Sequence, residues 1–261
     1  MSPAKTLTVA LLHPLLTVAC GDDASGLALA HRAKRRDLDV EVVTVHGATP
    51  IPDADIYLLG GSGHAGVPKL AEQLSASTVF TDRVAEGAVV LAVDAGLDAL
   101  GRGIVDERGR IIGPGLGLLG FTTKRGRSVS EPVVSEPVPE LGLPALGGWV
   151  QHRVALRADP DVEPFLTLEV GHGDRGQLDG VRSGHVIGTR LHGPILGRNP
   201  EVADVMLAWA TGREPQEWEP LPPGPQERAR DLRAEEDRAA GRRVRDLRER
   251  VAETRKSLLR V

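Results

Sequence analysis

Four short, almost unbroken apolar runs dominate the first third of the chain: Thr6–Leu12, Val40–Val45, Ile56–Leu59 and Val89–Val93. Runs of this length, bounded by glycine and polar turn residues, read as strands covered on both faces, as in a parallel sheet. Segments of helical character separate them: Ser25–Arg36, with Ser25 placed as an N-cap, then Lys69–Ser75 and Thr81–Glu86. This alternation predicts an α/β protein with helices on both faces of the sheet. After a glycine-punctuated turn at Gly113–Gly120 the pattern changes. Arg127–Val134, Trp149–Leu156, Phe165–Val170 and His185–Leu191 predict an antiparallel extension or a set of edge strands. Asn199–Ala210, with Pro200 in its first turn, closes the domain as a helix.

Two further segments follow the expected domain of residues 1–212. Residues 213–225 contain Pro215, Pro220, Pro222, Pro223 and Pro225 and read as an extended linker. Residues 226–261 read as a charged helix. They carry 12 Lys and Arg against 8 Asp and Glu, leaving 20 against 28 in the body. Ala240, Val244, Leu247, Val251, Thr254 and Leu258 form a narrow apolar stripe, interrupted near Gly241. Such a helix, about 50 Å long, is expected to meet a partner helix or a second copy rather than lie wholly on its own domain.

Composition narrows the function classes. The net charge of −4 gives no pull toward nucleic acid or membrane. No run approaches the ~18 apolar residues of a membrane span, and the N-terminus leads into a strand rather than a leader sequence, so a cytoplasmic protein is expected. A single cysteine, Cys20, precludes an intrachain disulfide or a multi-cysteine metal site. His152, His172 and His185 have no metal-ligand spacing, and neither metal nor cofactor is implied.

Three glycine-flanked sites could carry chemistry. In Val89–Gly96 an apolar strand ends in Asp94 followed by Ala95 and Gly96. Small neighbours let a sharp strand-to-helix turn raise one side chain above the sheet, although alone the segment reads more simply as a strand end with Asp94 as N-cap. Gly60, Gly61 and Ser62, before Gly63 and His64, form a loop able to offer backbone N–H groups to an anion or oxyanion. No Gly-Lys-Ser/Thr follows, so it is not a phosphate-binding P-loop. In Gly188–Leu196, His192 stands at a strand end before Gly193-Pro194, where it could serve as a general base.

In order, these segments resemble the class I glutamine amidotransferases of the cobyric acid synthase type, which include the glutaminase subunit of lipid II isoglutaminyl synthase. The Tyr-Gly-Asp-like segment of that family corresponds to Cys20-Gly21-Asp22-Asp23, and its triple-glycine loop to Gly60-Gly61-Ser62. Its Leu-Ala-Ile-Cys-Gly/Ala-Gly-Tyr-Gln-Leu-Leu-Gly elbow corresponds to Leu91–Gly101, and Gly-x-Gly-Leu-Gly-Leu-Leu to Gly113–Leu119. Gly-Phe-Glu-Asn-His is similar to Gly148–His152, and Gly-Thr-Tyr-Leu-His-Gly-Pro-Leu-Leu to Gly188–Leu196, followed by Asn199-Pro200. The resemblance implies a flavodoxin-like three-layer α/β/α sandwich with a mostly parallel sheet, a small β extension and the C-terminal charged helix. Its crevice would lie at the carboxyl ends of the strands.

The resemblance further implies that His192 occupies the base position and Asp94 that of the nucleophilic cysteine, with Gly60, Gly61, Ser62, Ala95 and His152 around a ligand. Asp98 replaces the family's glutamine. A carboxylate attacks an amide poorly and places negative charge where the oxyanion must form. The expected function is therefore a non-glutaminase partner or regulatory subunit of an amide-forming ligase or synthase, retaining a small amino-acid-like ligand. The alternative is an active amidotransferase or amidohydrolase using Asp94 or Cys20 with His192. A direct approach of Asp94 to His192 is expected in either case.

Overall fold

The computed structural model describes residues 6–17, 21–62 and 66–258, with side chains as far as Arg242. In chain order the elements begin with β1 (Leu7–Leu12), α1 (Ser25–Lys34), β2 (Val40–Val45), β3 (Ile56–Leu59), α2 (Val67–Ser75), α3 (Val79–Ala85), β4 (Val89–Val93) and α4 (Ala95–Leu100). Next come β5 (Gly103–Val105), β6 (Ile111–Pro114), β7 (Phe121–Ser135), β8 (Gly147–Ala158), β9 (Leu166–Val170) and β10 (Leu178–Asp179). The chain continues with β11 (Val181–Ser183), β12 (Val186–Thr189), β13 (Leu191–His192), α5 (Ile195–Arg198), α6 (Pro200–Ala210) and α7 (Pro225–Leu258).

The four runs become strands of a six-stranded sheet in the order β11-β12-β4-β3-β1-β2, parallel apart from β11, with β1, β3 and β4 inside the sheet and β2 at its edge. Their residues alternate between two cores, as a pleated strand requires. Val9, Leu11, Ile56, Leu58, Leu91 and Val93 pack with α1 and α6, whereas Ala10, Leu12, Tyr57, Leu59, Val90 and Ala92 pack with α2 and α4. Burial on both sides explains why β1, β3 and β4 lack polar alternation, whereas the edge strand β2 exposes Glu41 and Thr44. The carboxyl ends of β1, β3, β4 and β12 converge on one edge of the sheet, and the expected α/β sandwich is present.

The β extension is larger than expected. β7 and β8 form a long antiparallel hairpin within a seven-stranded sheet. The run read as His185–Leu191 divides at Arg190: β12 joins the parallel sheet, while β13 crosses to pair with β8, His192 opposite Trp149. Ser25 is the first residue of α1 rather than a side-chain cap; its hydroxyl is buried without a partner.

The C-terminal region also departs from the sequence reading. Residues 213–224 are pinned to the body: Arg36 donates to the Glu219 carbonyl at 2.7 Å and lies over the Trp218 ring, and Arg35 donates to the Pro222 carbonyl at 2.9 Å. The start of α7 packs against α5 and strands β7 to β9. Ala234 is buried there, Arg230 pairs with Glu201 at 2.5 Å and Arg238 with Glu169 at 2.7 Å. The helix runs unbroken through Gly241, where a Cβ would come within 3.2 Å of Val170 Cγ1. The side chains of Val244, Leu247, Val251, Thr254 and Leu258 lie outside the described residues. Among the described residues, no helix is long and apolar enough to cross a membrane.

Candidate functional site

Asp94 follows β4 with φ 47° and ψ −102°, a conformation that L residues avoid. Holding a non-glycine residue there costs on the order of 1–3 kcal/mol and persists only where the surroundings impose it. α4 begins immediately after it. Gly96 permits this turn because a Cβ would lie 2.7 Å from Leu59 Cβ. The elbow geometry read from the sequence is therefore present. Asp94 precedes α4 without capping it, since its carboxylate is engaged elsewhere.

Its partner is Arg190, a fully buried arginine between β12 and β13. Arg190 Nη1 donates to both the Asp94 carbonyl at 3.0 Å and Asp94 Oδ1 at 3.1 Å. Nη2 donates to Asp98 Oδ1 at 2.5 Å and Nε to Asp174 Oδ2 at 3.2 Å. Asp98 also accepts from the Thr123 hydroxyl at 2.8 Å. Below this cluster, buried Asp179 accepts from Thr189 Oγ1 at 2.6 Å and from the Arg190 amide. One guanidinium thus faces three carboxylates. Burial pushes the Asp94 and Asp174 carboxyls above the usual range despite the attraction of Arg190. Burial and the Asp174 charge raise Asp179 to about 7.

His192 has a different partner. Its Nδ1 lies 2.9 Å from Asp22 Oδ2, which also accepts the Gly61 amide at 3.0 Å. An ionised carboxylate only accepts, so Nδ1 carries a proton and Nε2 is the nitrogen left for other contacts. Burial works against the imidazolium, but the Asp22 hydrogen bond and the Asp22 and Asp94 charges outweigh it and raise the pKa. The expected direct Asp94–His192 pair is replaced by two separate pairs, Asp94–Arg190 and Asp22–His192. The residues are nonetheless neighbours. A Cβ on Gly61 would lie 2.6 Å from His192 Cε1, 2.9 Å from Asp22 Oδ2 and 3.2 Å from Asp94 Cβ, so only glycine fits between them.

Gly60, Gly61 and Ala95 therefore gather with Asp94 and His192 at the strand ends. The Gly61 N–H is committed to Asp22, not held in reserve for an oxyanion. Ser62 turns toward Gly66, where a Cβ would lie 2.5 Å from its hydroxyl. Gly63, His64 and Cys20 lie outside the described residues. His152 sits on β8 beside a cavity of about 360 Å³ also lined by Arg127, Ser130, Glu131, His172 and Asp174. Its Nδ1 lies 3.1 Å from the Val154 carbonyl and so donates, leaving a buried Nε2 lone pair without a partner among the described residues. Burial, then the Arg190 charge, lower its pKa to about 4, so the ring is neutral at pH 7. Asp174 joins this cavity to the Arg190 cluster.

Sequence reasoning did not assign roles to Asp22, Arg190, Asp174 or Asp179. Asp22 had a signal in its Gly-Asp-Asp segment. Arg190 had one in being a cation inside an otherwise apolar strand end; nothing local marks Asp174 or Asp179.

A doubly covered parallel sheet, a strained elbow after its central strand and a carboxylate-held histidine just beyond the neighbouring strand define the class: an amidotransferase-like α/β domain. Residues 29–200 match the CobB/CobQ-like glutamine amidotransferase domain, and the chain belongs to that family. The chain is 28% identical over 199 residues to the lipid II isoglutaminyl synthase (glutamine-hydrolyzing) subunit GatD of Staphylococcus aureus, covering 74% of this chain and 80% of that protein. It is 32% identical over 167 residues to the cobyric acid synthase of Mycolicibacterium gilvum, covering 61% of this chain and 30% of that protein. It is also 28% identical over 185 residues to the pyridoxal 5'-phosphate synthase subunit PdxT of Thermoplasma acidophilum, covering 68% and 83%.

Proposed function

We propose that this chain is a glutamine amidotransferase-like subunit without glutaminase activity, acting as a partner or regulator of an amide-forming ligase. The observation that carries the reading is the engagement of the Asp94 carboxylate by Arg190 at the elbow. In this reading Asp94 stands where the family's nucleophilic cysteine stands. Acyl transfer to a carboxylate would give a mixed anhydride, and a carboxylate tethered by a guanidinium is weaker still as a nucleophile. Asp98 and Arg190 stand where the resembled motifs have glutamine and tyrosine. The three residues then form one exchanged unit, since each makes electrostatic sense only with the others.

A partner is supported by the names of GatD and PdxT, both subunits of synthases. The cavity beside His152, with Asp174 and Glu131 as acceptors and Arg127 as a cation, suits a small amino-acid-like ligand. In the same reading residues 1–212 form the amidotransferase-like domain, 213–225 the connection and 226–261 the helical appendage, in a cytoplasmic protein.

The test is ammonia release from glutamine by the full-length chain. No turnover above that of the His192→Ala variant is expected. Glutamine hydrolysis abolished by His192→Ala would overturn the proposal and favour catalysis through Asp94 or Cys20. Asp94→Cys should form a covalent adduct with a glutamine-directed alkylating agent, because Asp22 still orients His192. A folded, inert variant would mean that the pocket no longer admits glutamine-like ligands.

A further inference from the structure

We propose that the cleft between α5 and the first turns of α7 is a binding site for a small oxyanion, a carboxylate or a phosphate. The cleft has a volume of about 170 Å³ and is lined by Gly148, Gly197, Arg198, Arg230, Arg233 and Asp237. The cleft opens to solvent on one side, so what it admits is set by the guanidiniums on its walls.

The charges there are unequally matched. Arg230 is neutralised by Glu201 at 2.5 Å and Asp231 at 2.7 Å. Arg198 is half-buried, yet neither it nor Arg233 makes a hydrogen bond or an ion pair within 4.0 Å among the described residues. Burial and the like charge of Arg233 both destabilise the Arg198 cation, while Asp237 attracts it only from beyond ion-pair distance. Burial in turn raises the pKa of Asp237. Two guanidiniums therefore converge on one cavity without a carboxylate in contact. A partly desolvated cation without a partner is unfavourable. The planar donor fork of arginine is suited to an oxyanion, which would satisfy both groups at once. Arg233 belongs to the positively charged C-terminal helix, whereas Arg198 stands on a body with excess negative charge and still has no carboxylate in contact among the described residues.

The cleft also adjoins the backbone that carries His192. Gly193 has φ 116°, and a Cβ there would lie 3.2 Å from Arg198 Cδ. A Cβ on Gly148 would lie 3.4 Å from the His192 carbonyl oxygen. An anion drawn onto Arg198 would thus tie α7 to the segment just beyond the candidate site. This inference stands whether or not glutamine is hydrolysed.

The experiment is titration calorimetry on the full-length chain with sodium phosphate and, separately, sodium acetate, with ionic strength held constant by sodium chloride. Saturable one-site binding of at least one probe is expected, and the tighter probe identifies phosphate or carboxylate as the source. Arg198→Gln should weaken binding at least tenfold and Arg233→Gln several-fold. Arg102→Gln, which removes a cation already paired with Asp159, should leave it unchanged. Failure of both probes to saturate, or wild-type binding by a folded Arg198→Gln, overturns the proposal. Should Arg198→Gln fail to fold, the exposed Arg233 decides: unchanged binding by Arg233→Gln overturns it equally.

Discussion

Two buried arginines in this protein, Arg190 and Arg32, are surrounded by the same residue types and behave in opposite ways. Arg32, on α1, holds Asp204 of α6 through two hydrogen bonds of 2.8 and 2.6 Å and Glu227 of α7 at 2.7 Å. Arg36 and Arg35 add to the same carboxylates, so cations outnumber anions. Burial opposes ionisation of both carboxyls, but Arg32 and Arg36 hold Asp204 below the usual carboxylate range, and backbone N–H groups together with Arg32 do the same for Glu227. At Arg190 the ratio is reversed, and Asp94 and Asp174 are raised. The difference teaches that deep burial combined with too few cations, rather than either alone, decides whether such a cluster clamps the fold or stores unfavourable charge. The Arg32 cluster joins three helices and fastens the C-terminal region. The Arg190 cluster lies under the strained elbow, where stored charge is characteristic of a functional site.

The largest expected effect comes from breaking the overcharged cluster. Arg190→Leu removes the guanidinium that Asp94, Asp98 and Asp174 share and should cost about 3–5 kcal/mol, read by urea unfolding. Adding Asp94→Asn and Asp98→Asn should recover part of that loss by removing the charges left behind. A cost below ~1 kcal/mol would mean that the carboxylates are not jointly ionised, and the contrast with Arg32 would collapse.

Acid should separate the two regions next. His152 falls from 6.5 to about 4 in the folded protein, so below pH 6.5 the unfolded chain takes up the proton first. Stability then declines as pH drops from 6.5 toward 4, by about 3 kcal/mol from this group. Urea unfolding across that range should show the decline, and His152→Gln should flatten it. Asp94 and Asp174 act with the opposite sign: with raised folded pKa values, they bind protons preferentially in the folded state and gain stability as pH falls. Asp204 and Glu227, with depressed values, contribute stability above their unfolded pKa and lose it as pH falls through the folded pKa. Acid therefore loosens the C-terminal clamp while relieving the elbow. Opposite pH trends for Asp94→Asn and Glu227→Gln, each relative to wild type, would check this.

The smallest effect is at the clamp itself. Glu227→Ala deletes a charge-assisted bond to Arg32 and should cost about 2 kcal/mol, since Asp204 still holds that arginine. Hydrogen exchange should accelerate in 225–242 before the six-stranded sheet is affected. Equal acceleration throughout would show that α7 unfolds together with the body, and the two clusters would then support one cooperative unit.

The sequence by itself determined the parallel sheet, because strands buried on both faces must be apolar at successive positions. That requirement is local and survives in Ile56–Leu59 and Val89–Val93, whose limits match the structure; Val40–Val45 also keeps its limits, as an edge strand with Glu41 and Thr44 exposed. The elbow was less legible: Ala95 and Gly96 permit a sharp turn after β4, but they suit an N-cap at Asp94 as well, and only the family resemblance favoured the turn. The docking of residues 218–222 on Arg35 and Arg36 was not legible, because proline content reports backbone stiffness and not which side chains meet it. Only the tertiary structure decided which charges meet. Asp94 finds Arg190 across 96 positions and His192 finds Asp22 across 170. Coulombic pairing depends on distance in space, and it leaves no periodic mark along the chain.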